Sequence, residues 1–158
     1  MANAFVRTND DYAALVMRLF LGIVFFVHGA QKVLGWFGGY GVSATIQGFA
    51  KMGLPPVITV LVMAAEFGGG ILLILGFLTR LAAIGIGCVM VAAIVLVHGK
   101  VGFFMNWAGS QKGEGFEYHL LAIGLCLALL IKGGGALSVD RALSRGNGGG
   151  MAGAMPRM

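Results

Sequence analysis

The sequence predicts an all-α polytopic membrane protein: a bundle of four transmembrane helices with both termini in the cytoplasm. Three observations predict it. The 158 residues are 58% hydrophobic and 11% charged, with a mean hydropathy of +0.91, whereas a soluble domain carries roughly 25% charged residues. So few charges cannot cover a globule with polar surface. Four apolar stretches reach or approach the length of about 20 residues that a membrane helix needs. Finally, 28 glycines suit close helix–helix approach in lipid.

The first stretch is Ala13–Leu34. Asp10 and Asp11 spoil a basic leader, and Gln31 and Lys32 follow without a small-x-small cleavage site, so an uncleaved helix is expected. The second and third stretches, Pro56–Leu78 and Leu81–Val97, are separated by Thr79-Arg80, which predicts a tight hairpin. The fourth, Tyr118–Ile131, spans only about 21 Å against a hydrocarbon core of roughly 30 Å. The connections at 35–55 and 98–117 are rich in glycine and aromatics. The domain reading is a polar segment at 1–12, a membrane domain at 13–141, and a flexible Gly/Met-rich tail at 142–158.

Charge sets the orientation. Four spans put Arg7, Arg18, Arg80, Lys132, Arg141, Arg145 and Arg157 on the side of the termini, against Lys32, Lys51, Lys100 and Lys112 opposite. The positive-inside rule makes the termini side cytoplasmic. The partner in this reading is the lipid bilayer of a plasma (inner) membrane. The formal charge is +5, and no Lys/Arg run of the kind that grips phosphates occurs, so nucleic acid is not expected. Cys88 and Cys126 each lie inside an apolar run and form no C-x-x-C pair, so they read as buried thiols.

The polar residues inside the apolar stretches carry the chemistry. Glu66 interrupts the second stretch, and a carboxylate at that depth costs on the order of 3 kcal/mol unless it faces a partner or a cavity. Counting about 1.5 Å per residue puts Arg18 within reach of it, so a buried Arg18–Glu66 ion pair is expected. His28, Gln31 and Lys32 share a helix face at i, i+3, i+4 spacing. With His98, Glu117 and His119 at the ends of neighbouring stretches, they would ring an outer-leaflet pocket. The aromatics Trp36, Phe37, Tyr40, Phe103, Phe104 and Trp107 read as an interfacial belt, or as a stacking slot beside that pocket. Three histidines and a carboxylate could ligate a transition metal, but no tight spacing pins them, and no metal is assigned.

Several separated segments in order carry a resemblance: HGAQKVLG (His28–Gly35), FAKMGLPP (Phe49–Pro56), EFGGGILLILGFLTR (Glu66–Arg80), VHGKVGFF (Val97–Phe104) and LSVD (Leu137–Asp140). Over about residues 13–141 the chain resembles the DoxX family of small membrane proteins. The resemblance implies four transmembrane helices in a bacterial-type plasma membrane. It also implies an oxidoreductase label, inherited from a quinone-linked subunit of thiosulfate oxidation. Matching motif positions include His28, Lys32, Gly53, Pro55, Glu66, Gly76, Arg80, His98 and Gly102.

Two functions are expected to compete. In the first, the chain is a subunit of a quinone-linked oxidoreductase acting with a redox partner. His28, His98 and His119 would hydrogen-bond the quinone carbonyls, Glu66 or Glu117 would relay protons, and Lys32 would hold an anionic head group. Trp36, Phe103 and Phe104 would form the slot. No flavin or nicotinamide motif is present, so the cofactor is left open, with a lipid quinone the fitting choice. In the second, the chain is a non-catalytic scaffold, and Gly68-Gly69-Gly70 receives a partner helix.

Overall fold

The computed structural model describes residues 4–146. Among these the chain is all-helical, without strands. Helix α1 (Tyr12–Val33) starts where the Asp11 carboxylate accepts the Ala14 N–H at 3.1 Å, an N-cap that satisfies one of the orphan donors of the first turn. Its inward face carries Ala14, Arg18, Leu21, Gly22, Phe25 and Gly29, the i, i+3/i+4 repeat of a buried stripe. Helix α2 (Gly41–Lys51) has no buried residue. It lies in a segment expected as a connection; Val42, Ile46 and Phe49 give it one apolar edge at helical spacing.

Helix α3 runs Pro56–Leu75 and begins with proline at its first turn, where the missing N–H costs nothing. A π-helical turn, Ala64–Gly68, sits in its middle. It ends at Gly76, whose φ of +65° closes the helix in the left-handed conformation glycine permits. Helix α4 (Thr79–Leu96) follows at once, and the Asp140 carboxylate accepts the N–H groups of Leu78 and Thr79 at 2.8 and 3.0 Å. Helix α5 is Glu117–Lys132 and helix α6 is Val139–Gly146. Helical order therefore continues to residue 146, past the expected start of the tail at 142, and the rest of that tail lies outside the described residues.

Three helices, α1, α3 and α4, are long and apolar enough to cross a membrane. Helix α5 packs with them, contributing Ala122, Cys126 and Leu129 to a core with Leu21, Phe25, Leu73, Ile86 and Met90. Outward-facing residues are apolar as well: Phe20 is 69% exposed and Leu121 72%. A surface this apolar has lipid as its natural solvent.

Glycines set the register of α1 against α3. A Cβ at Gly29 would lie 2.4 Å from Phe67 Cα, and one at Gly70 would lie 2.5 Å from the Phe26 nitrogen, so the two backbones touch as small-residue packing allows. Gly69 and Gly70 are buried within this chain, and only Gly68 faces open space. The run expected to receive a partner helix is thus largely used internally.

The same register overturns the expected Arg18–Glu66 pair. Antiparallel packing puts Glu66 at the level of Gly29–Lys32, about 20 Å along α1 from Arg18. Arg18 is 1% exposed and instead donates to the carbonyls of Leu73, Ile74, Gly134, Ala136 and Leu137. Two of these, Leu73 and Ile74, belong to the last turn of α3, where carbonyls run out of helical N–H partners; the Leu73 carbonyl also accepts the Gly76 N–H at 3.1 Å. Arg80 does likewise for α5, donating to Leu130 and Ile131 at 2.8 and 3.1 Å.

The polar segment before α1 is bound to α6. Arg141 makes two hydrogen bonds to Asp10 at 3.0 and 2.8 Å, and Arg145 also pairs with it. The Arg141 hydrogen bond, with the charges of both arginines, holds the Asp10 carboxyl down at about 2, below its ordinary 3.8. A group depressed in the folded state stabilises above its unfolded pKa, and that contribution is lost as pH falls through the folded value. Acid should therefore lower the thermal midpoint of the detergent-solubilised chain between about pH 4 and pH 2. Asp10→Asn should flatten that limb; an identical acid limb in the variant would contradict the link.

Candidate functional site

At the end of the bundle away from the termini, the helices enclose a cavity of about 510 Å³. Its walls are apolar, with Phe25 from α1, Val62 from α3, and Met90 and Leu96 from α4. Phe49, Met52 and Leu54, at and beyond the end of α2, wall one side. Its polar groups are few and convergent: His28, Lys32, Glu66, His98, Glu114, Tyr118 and His119. An apolar pocket of a few hundred Å³ with a small polar set is the usual form of a small-molecule site.

Glu66 is the most buried of the charged residues lining the cavity, 5% exposed. The π turn that carries it widens α3 by one residue per turn, a local device that re-aims side chains. Its carboxylate meets the Lys32 ammonium at 2.5 Å, with side-chain exposures of 7% and 23%. Lys32 also reaches the His28 carbonyl at 3.5 Å. The buried ion pair is therefore Lys32–Glu66, and Glu66 belongs with the histidines rather than below them.

The histidines come from three elements. His98 opens a 3₁₀ turn, His98–Lys100, just after α4, and its Nδ1 lies 2.8 Å from the Glu114 carbonyl. A carbonyl only accepts, so Nδ1 carries a proton and donates it there. The rings of His98 and His119 lie 4.2 Å apart, centroid to centroid. His119 is 6% exposed. Its Nδ1 and the Tyr118 hydroxyl are buried without a hydrogen-bond partner among the described residues. Buried polar atoms without partners are rare and costly; Thr59 Oγ1 and Thr79 Oγ1, away from the cavity, are in the same state, and what sets Tyr118 and His119 apart is that both side chains border the cavity.

Four expected members stand elsewhere. Glu117 accepts the Met105 N–H at 2.8 Å and clasps the loop 98–117 onto the start of α5; it does not line the cavity. Trp36 packs edge-on against Phe37. Phe103 packs edge-on against Phe104 and Phe116. These aromatics face outward, with Trp36 54% and Phe104 69% exposed, so they do not form the expected slot. Phe25, Phe49 and Tyr118 supply its aromatic lining instead. No set of three His, Cys, Asp or Glu side chains among the described residues is arranged to hold a metal ion.

Glu114, Tyr118, Phe49 and Met52 were not singled out from the sequence as site residues. The FAKMGLPP segment held a signal, since its run of motif residues sits in an otherwise weakly patterned connection. Nothing in QKGEGF marks Glu114, which the loop closure alone brings to the cavity.

A small multi-pass helical membrane protein, with a polar-ended apolar cavity walled by its helices, is the class that fold and site define. The DoxX family model matches residues 13–99, and the chain belongs to that family. It is 33% identical to the inner membrane protein YqjF of Escherichia coli (strain K12), over 89% of this chain and 98% of that protein. It is 32% identical to the protein named "Putative oxidoreductase CatD" of Bacillus subtilis (strain 168), over 78% and 83%. Identity to the inner membrane protein YphA of Escherichia coli (strain K12) is 29%, over 80% and 87%. No solved structure matches significantly.

The Lys32–Glu66 pair is testable without a ligand. Lys32→Met leaves a buried carboxylate without its cation and should cost about 3 kcal/mol, while Lys32→Met with Glu66→Met should regain most of it. Unfolding of both variants in detergent measures this. A double variant no more stable than the single one would contradict the pairing.

Proposed function

We propose that the chain is an inner-membrane subunit that binds a quinone head group in the cavity beneath α2 and serves a quinone-linked oxidoreductase. In this reading α5 is a fourth span, with Lys132 and Glu117 at its two interfaces, and both termini are cytoplasmic. The arginine-rich end, with Arg7, Arg80, Arg141 and Arg145, then faces the cytoplasm, and the cavity opens in the outer leaflet. The names of the relatives YqjF, YphA and CatD support the membrane and the oxidoreductase label.

The observation that carries the proposal is that two residues bordering an otherwise apolar, aromatic cavity, Tyr118 and His119, hold polar atoms, Oη and Nδ1, without hydrogen-bond partners among the described residues. A flat ring with two oxygens fits such a lining, and one end finds Tyr118 and His119. The other end finds His28 and the Lys32–Glu66 pair. A quinone takes up two electrons and two protons to become a quinol, with the electrons supplied by a redox partner protein. This chain's residues would bind and orient the ring, exclude water, and carry protons at the His119 ring and the Glu66 carboxylate.

A non-catalytic accessory role is the second reading, favoured by the open space in front of Gly68 and Gly124, where another helix could approach. The two part on ligand binding. Tyr118→Phe removes a hydroxyl that has no hydrogen-bond partner among the described residues, so stability should hold. Affinity for a short-chain ubiquinone, read by fluorescence quenching, should fall about five- to tenfold, the value of one hydrogen bond. His119→Phe should fall further. Unchanged affinity in both variants, or no binding by the parent chain, sinks the quinone reading.

A further inference from the structure

We propose a second binding site at the opposite end of the molecule, for the phosphate of an anionic phospholipid. A cavity of about 450 Å³ opens there, between the segment before α1 and the facing ends of α4 and α5. Three cations line it, Arg7, Arg80 and Lys132, against one carboxylate, Asp11.

The four charges have different duties. Arg80 is tied, donating to the carbonyls of Leu130, Ile131 and Arg7, so it is a fixed positive charge rather than a free arm. Lys132 is paired with Asp11, which largely cancels both. That leaves Arg7, exposed, whose guanidinium makes no hydrogen bond or ion pair among the described residues. The Asn9 side chain beside it is likewise free and exposed. The cavity therefore has an uncompensated positive field and two uncommitted donor groups, one able to grip a phosphate in bidentate fashion.

Its place in the fold favours a lipid over a soluble phosphate. Arg80 lies in the first turn of α4 and Lys132 closes α5, the level at which the apolar helices meet water. Ile131 lines the same cavity and is 81% exposed, a surface for an acyl chain directly beside the donors. Basic pockets between membrane helices at an interface take anionic head groups in this way. The site shares no residue with the quinone cavity; it rests on the proposed span of α5 and not on the quinone.

Native mass spectrometry of the full chain, released from detergent with equimolar phosphatidylglycerol and phosphatidylcholine, tests the proposal. The first retained lipid should be phosphatidylglycerol. Arg7→Gln should lower that preference about fivefold, the value of one charge at an anionic surface. Asp11→Asn should raise it while keeping the α1 cap, since asparagine caps as well as aspartate. Lys100→Gln, at the far end, should change nothing. Equal retention of the two lipids, or equal effects of Arg7→Gln and Lys100→Gln, would overturn the site. Retention of glycerol phosphate as strong as that of phosphatidylglycerol would overturn the lipid assignment.

Discussion

A carboxylate buried in an apolar bundle needs a cation at its own depth, and in this chain the depth is set by glycine. Gly22, Gly29 and Gly70 let α1 and α3 pack backbone to backbone, and that contact allows one antiparallel register. The register aligns Glu66 with Lys32 and leaves Arg18 a long way off. The cavity and the grouping of its polar residues follow from this alignment. A side chain added at Gly29 would displace Phe67 and with it the turn that carries Glu66.

The two ends of the bundle treat charge differently. At the termini end, arginines answer helix C-termini: Arg18 and Arg80 satisfy carbonyls that α3 and α5 leave orphaned, and Asp140 satisfies the N–H groups at the start of α4. These bonds tie the segment before α1, the α3–α4 turn and α6 into one cap. At the other end one ion pair, Lys32–Glu66, forms among the described residues, with histidines and an unsatisfied hydroxyl around it. The first arrangement holds the fold, and the second leaves hydrogen-bonding capacity for something else.

Composition and run length made the helical membrane class legible, and α1, α3 and α4 lie within residues of the expected stretches. Helix α2 was not, because its apolar edge is short and glycines flank it. Five of the expected site residues, His28, Lys32, Glu66, His98 and His119, line one cavity because each sits near the same end of its helix, which depth counting can estimate. The Arg18–Glu66 pair failed because depth counting from helix ends ignores register, and register here depends on which glycines meet. The aromatic slot failed for a related reason: Trp36, Phe103 and Phe104 are near the cavity in sequence, but their loops turn them outward. Glu114 reaches the cavity through a loop closure that no spacing encodes.

A quinone bound in the cavity beneath α2, as proposed, would lie within cross-linking reach of the cavity's walls. Photolabelling with an azidoquinone, followed by peptide mapping, tests it most directly. Label is expected on the segment 49–54 and on the loop and helix start at 105–119, suppressed by excess unlabelled quinone. Label confined to the outward aromatics Trp36, Phe104 and Trp107, or spread along the lipid-facing helix surfaces, would contradict it.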